Sequence, residues 1–366
     1  MRRGPDVRSR HPTDIPQFDI WEVLSLAQEN MVFTWIASLY FTIVLDSQSG
    51  SDMLMPRFSW EQLSQDSIVF DKVLQELWVL RAYGDAQFRE IFVDKLDQIL
   101  ELFSIWRELK SENIVVTKEQ NGARPSKHVS QVMTALVTPE HFTHQDAFLL
   151  RLMTLFHDCG KMMSSHIPQE KVITILEQFK HTKQSYPKHA EASVLILYSL
   201  CVEWFKLAPD ENSPLYTLLK QKLPLVLNVI LHHHDFTSFS TFEAGLETVV
   251  MLGRGLTEPN LTDVIETVAY LYAFRRADVA ATPAHQKHWQ GQQALFEQLF
   301  SVLSLLAESQ VENLAESPFI ADSKIDTQTV QELLKILGRT ERSAASQALQ
   351  FLKTTISDAT LHSSEF

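Results

Sequence analysis

The chain has 366 residues, 45% of them hydrophobic, which excludes a globally disordered protein. Its formal net charge of −13 excludes a dedicated nucleic-acid-coating surface, although a bound cation can still bring phosphate groups close. Two cysteines, Cys159 and Cys201, exclude a disulfide framework or a cysteine-rich zinc site and suit a reducing, cytoplasmic setting.

Ten glycines are few for a strand-rich fold, so the expected class is all-α. Residues 1–18 are polar, carry three prolines and read as a mobile arm. The basic start, Met1-Arg2-Arg3, is not followed directly by an apolar run, so a signal peptide is not expected. Residues 19–116 read as an N-terminal helical region. Asn30–Leu45 lacks charge but is shorter than the roughly 20 residues of a membrane span, so it reads as a buried helix. Phe70, Val73, Leu74 and Leu77 form an i, i+3, i+4, i+7 stripe, and Ile91, Leu96, Ile99, Leu100 and Phe103 extend it. A polar break at 117–126 precedes a second helical block, taken as a domain over 120–310. Its helices are expected to be interrupted at Pro139, Pro168, Pro187, 209–214, Pro224 and Pro259, because proline removes a donor and clashes with the preceding turn. Residues 318–366 carry two short helices, around Val330–Leu337 and Ala344–Ile356.

The chemistry concentrates in Leu149–Met162, where an apolar helix runs into His157-Asp158-Cys159-Gly160-Lys161 and is expected to break at Gly160. Imidazole and carboxylate together suit Mn²⁺, Fe²⁺, Mg²⁺ or Zn²⁺. Further ligand types follow in order through one block. His128 stands 29 residues before His157, and His189 stands 31 after Asp158. His232-His233-His234 closes an apolar helix over Leu225–Leu231, and Asp278 lies 44 residues after His234. Any one of these histidines taken alone reads as an ordinary core or surface group more often than as a ligand. The ordered set is what points to metal, because buried ionisable groups are costly unless paired or metal-bound.

This order resembles the HD superfamily of metal-dependent phosphohydrolases. His157-Asp158-Cys159-Gly160-Lys161 matches the H-D-x-G-K signature, His128 the first histidine, and Asp278 the final aspartate in its Ala-Asp-x-x-Ala setting. The resemblance covers about 128–281. It implies a helical bundle in which His128, His157, Asp158 and Asp278 hold one divalent ion. Two-metal members add histidines that His189, His233 and His234 resemble, as in the HD-GYP phosphodiesterases, but no Gly-Tyr-Pro follows Asp235 here. The implied reaction is hydrolysis of a phosphate ester, on a phosphorylated small-molecule or nucleotide substrate. A nucleotide or cyclic (di)nucleotide phosphodiester is favoured; the alternatives are a single-metal nucleotidase and a non-catalytic signalling scaffold. Asp158 is the expected central ligand and Lys161 a phosphate-binding charge. Arg124 and Arg276 are either phosphate-binding forks or ordinary surface charges. One or two metals, and a homo-oligomer, remain compatible with the residues.

Overall fold

A computed structural model describes residues 60–103, 125–161, 189–207, 210–234, 241–256, 258–282, 289–308 and 325–362. The arm, the Asn30–Leu45 stretch, Arg124 and Asp235 lie outside them. The described residues form twelve α-helices, one short 3₁₀ turn and no strand. They are α1 (Trp60–Leu80), α2 (Asp85–Phe92), α3 (Leu96–Leu102), α4 (Pro125–Ala135), α5 (His144–Phe156) and α6 (His189–Lys206). Then come α7 (Pro214–His232), α8 (Phe242–Arg254), α9 (Leu261–Ala280), α10 (Trp289–Glu308), α11 (Thr327–Gly338) and α12 (Arg342–His362). None of these helices is long and apolar enough to cross a membrane.

Helix α9 is the axis. It packs against α4, α5, α7, α8, α10 and α12, and side chains from Leu261 to Val279 are buried around nearly its whole circumference. A helix apolar on every side belongs in the middle of a bundle. Its start is fixed by Asn260, whose side chain accepts from the Asp263 amide at 3.0 Å. Helix α5 lies beside it, buried from Ala147 to Phe156, and opens with a reciprocal Thr143–Asp146 capping box.

Helix α7 departs from the expected break at Pro224, because it runs unbroken from Pro214 to His232. A proline inside a helix costs about 3 kcal/mol. Leu219, Leu223, Leu225 and Val226, all buried around it, offset that at about 1.5–3 kcal/mol per side chain. The end of α7 is then held against α8. Asn228 Nδ2 donates to the Leu252 carbonyl at 2.8 Å, and a Cβ at Gly255 would meet Asn228 Oδ1 at 2.0 Å. Only glycine allows that approach. Helix α12 also runs on past Ile356 to His362.

The N-terminal helices close over the back of α5. Phe156 stacks edge-on with Phe70 and Phe103 at 5.5 and 5.8 Å between ring centroids. Trp204 on α6 donates its indole N–H to Asp71 on α1 at 2.8 Å. Arg151 of α5 is fully buried and donates to the carbonyls of Leu80 and Tyr83 at 2.9 Å each and to Asp85 at 3.2 Å, with its guanidinium 3.8 Å over the Phe88 ring. Arg151 thus satisfies the open end of α1 while anchoring α2. Arg151→Met keeps the stem and removes these bonds. It is expected to lower unfolding stability in urea by about 3 kcal/mol; a loss under about 1 kcal/mol would show that the guanidinium is not what joins these helices.

Candidate metal centre

Five helix ends bring the candidate residues together. His128 sits in the first turn of α4, His189 opens α6, and His157-Asp158 caps the C-terminus of α5. His233 and His234 follow the last residue of α7, and Asp278 lies in the last turn of α9. Three of these ends are C-termini, whose partial negative charge favours a cation, against two N-termini, whose partial positive charge opposes it. His128, His157, Asp158, Lys161, His189, His233 and Asp278 are all buried.

Helix α5 ends at Phe156, before the glycine expected to break it. There the His157 imidazole turns back along the helix, with Nδ1 2.8 Å from the Thr154 carbonyl. A carbonyl only accepts, so Nδ1 carries the proton. The Gly160 amide is held by Ser193 Oγ of α6 at 2.8 Å. His233 repeats the device, with Nδ1 2.5 Å from the Ile230 carbonyl. In both rings Nδ1 donates and Nε2 is left facing the centre. Both Nε2 atoms are buried without a hydrogen-bond partner among the described residues, the state of an imidazole prepared as a ligand.

Asp158 stands between two histidine groups. Its Oδ2 lies 3.4 Å from His157 Nε2 and 3.6 Å from His128 Nε2, while Oδ1 lies 3.4 Å from His189 Nε2. Asp278 Oδ1 lies 3.1 Å from His128 Nε2, and His189 and His234 face each other Nε2 to Nε2 at 2.9 Å. Ligands bonded at about 2.0–2.1 Å to one ion stand about 2.8–3.4 Å apart in octahedral or tetrahedral geometry. The spacings of 2.9, 3.1 and 3.4 Å match such an edge, and the 3.6 Å between Asp158 and His128 is slightly longer. Ligand atoms of His128, His157 and Asp158 lie within 4.8 Å of one another, and so do those of His189, His233 and His234. Each group could hold a divalent ion.

The electrostatics fit that use. Burial alone would push Asp158 up, but Lys161, His157 and His128 together hold its carboxyl well below the usual range. Asp278 is likewise held well below it, against burial, by Arg275 and His128. Burial, followed by neighbouring imidazoles, drives His233 and His234 well below the usual histidine value, so both are neutral and keep a lone pair. Burial opposes charge on His157 too, but the Asp158 and Asp278 carboxylates together outweigh it and the net shift is upward. A metal bound there would displace a proton.

Among the other expected residues, Lys161 donates to Asp158 Oδ2 at 2.5 Å. Arg276 is half-buried beside Tyr272. The arginine that touches the cluster is its neighbour Arg275, which ion-pairs with Asp278 Oδ2. Nothing in Arg275-Arg276 distinguishes the two before the phase of α9 is known. Ser193 was equally silent, although its spacing of one turn from His189 puts both on one face of α6.

A cation held by these residues in the folded state alone stabilises it by mass action. Mn²⁺ at about a hundredfold excess over its Kd is expected to add about 2.7 kcal/mol and raise the Tm, with EDTA reversing the shift. His157→Ala and Asp278→Ala should shrink it. An unchanged Tm with Mn²⁺ would show that the cluster takes no metal.

Neither a curated protein nor a solved structure matched this chain. A family model, described as HD domain, matches residues 126–322, more than half of the sequence, and spans every helix that contributes to the cluster. With the H-D-x-G-K turn, the inward imidazoles and the closing aspartate all inside the matched region, the chain belongs to the HD domain family of metal-dependent hydrolases.

Proposed function

We propose that this chain hydrolyses a phosphate ester with two divalent cations flanking Asp158, and that its substrate is a phosphodiester of the nucleotide or cyclic (di)nucleotide class. The observation that carries this reading is the position of Asp158, with one oxygen toward His128 and His157 and the other toward His189. A carboxylate so placed can bridge two ions about 3.5–4 Å apart, the spacing that clamps both attacking and leaving oxygens of a phosphoryl centre.

Ions held by these residues would supply a bound water of lowered pKa and charge to offset that of the phosphate. Asp158 holds the two ligand groups in register. Lys161, fixed on Asp158 Oδ2, keeps the carboxylate ionised and adds positive charge beside the phosphate. His157 and His233 offer Nε2 lone pairs in orientations fixed by Thr154 and Ile230. The buried walls weaken competition from bulk water and strengthen each charge interaction. Mn²⁺, Fe²⁺, Mg²⁺ and Zn²⁺ all accept this oxygen-and-nitrogen donor set.

Hydrolysis of bis(4-nitrophenyl) phosphate by the Mn²⁺-loaded protein tests the reaction class. Asp158→Ala is expected to abolish it while leaving the helical circular dichroism in place; full activity in that variant would end the proposal. Elemental analysis tests the number of ions. Wild type should carry close to two metals per protomer and His189→Ala nearer to one. One metal in both proteins would support a single-metal nucleotidase.

A further inference from the structure

We propose that Arg275 is a positioning residue for Asp278, fixing which carboxylate oxygen is offered to a metal; this rests on the metal-site reading above. Asp278 uses its two oxygens differently. Oδ1 lies 3.1 Å from His128 Nε2, inside the cluster. Oδ2 accepts from Arg275 Nη1. The guanidinium is itself tied down, because Arg275 Nε donates to Gln292 Oε1 of α10 at 3.1 Å. Two bonds from one planar group fix its orientation, which a lysine ammonium does not reproduce. With Oδ2 turned to Arg275, Oδ1 is the oxygen that faces the cluster.

An anion in the last turn of a buried helix faces the negative end of the helix dipole and loses its hydration. A buried cation beside it offsets that cost. Arg275 lies three residues away on the same face of α9, and both side chains are buried. Arg276 is turned about 100° round the helix and sits beside Tyr272.

The test measures Mn²⁺ affinity by calorimetry on metal-free full-length protein, together with kcat and KM for bis(4-nitrophenyl) phosphate. Arg275→Met is expected to weaken Mn²⁺ binding about 10–100-fold, with kcat falling at limiting metal and KM moving far less. Arg275→Lys should recover only part of the affinity. Gln292→Leu, which leaves every ligand in place, should weaken binding in the same direction by a smaller factor, and it decides the matter if Arg275→Met does not fold. Wild-type Mn²⁺ affinity in Arg275→Met, or in a folded Gln292→Leu when Arg275→Met is unfolded, overturns the proposal. So does a rise in KM with affinity unchanged, which would make Arg275 a substrate contact. A wild-type protein that binds Mn²⁺ but hydrolyses nothing would overturn the proposed reaction alone, because the affinity comparison still judges Arg275. A wild type that binds no Mn²⁺ would overturn both.

Discussion

The structure depends on burying one carboxylate, that of Asp158, with imidazoles on both sides. An ionised group removed from water is expensive, and the effective penalty is several kcal/mol even after relaxation. Here Lys161, His157, His128 and His189 surround it, and all four are buried with it. No helix supplies this set alone. The ends of α4, α5 and α6 have to meet around it, those of α7 and α9 add His233, His234 and Asp278, and the rest of the fold can be understood as what brings them there.

Helix α9 provides the axis and α5 the turn. Behind the turn, Phe70 and Phe103 seat against Phe156, and Arg151 ties α5 to the end of α1 and the start of α2. The N-terminal helices therefore contribute to the wall of the site without contributing a ligand among the described residues. On the other side, the Gly255–Asn228 approach sets the end of α7 and hence His233 and His234. The His157 and His233 imidazoles are aimed by backbone carbonyls three residues back, so their orientation follows from helix-end geometry.

Much of this was legible in the residues. The apolar stripe at Phe70, Val73, Leu74 and Leu77 is buried as its spacing implies, and the all-helical class follows from scarce glycine and 3.6-residue periodicity. His128, His157, Asp158, His189, His233, His234 and Asp278 stood out because ligand-type residues recurred in one apolar block, and the fold brings them together. Pro224 misled because a local rule was outweighed by burial of its neighbours, a tertiary effect. The helix ahead of Gly160 ends at Phe156, a few residues sooner than the glycine alone suggests. Arg275 could not be separated from Arg276 without the rotation of α9, since adjacent residues differ only in which face they share with Asp278. Partners such as Ser193 and Gln292 act through contacts of long sequence separation, for which a single sequence carries no signal.

The central claim is that Asp158 stands between two cations. Crystals grown with Mn²⁺ and measured at a wavelength where manganese scatters anomalously would locate the ions directly. The account requires two anomalous peaks about 3.5–4 Å apart, one beside His128, His157 and Asp278, the other beside His189, His233 and His234, with Asp158 bridging them. A single peak, or two peaks with Asp158 bound to neither, would contradict it.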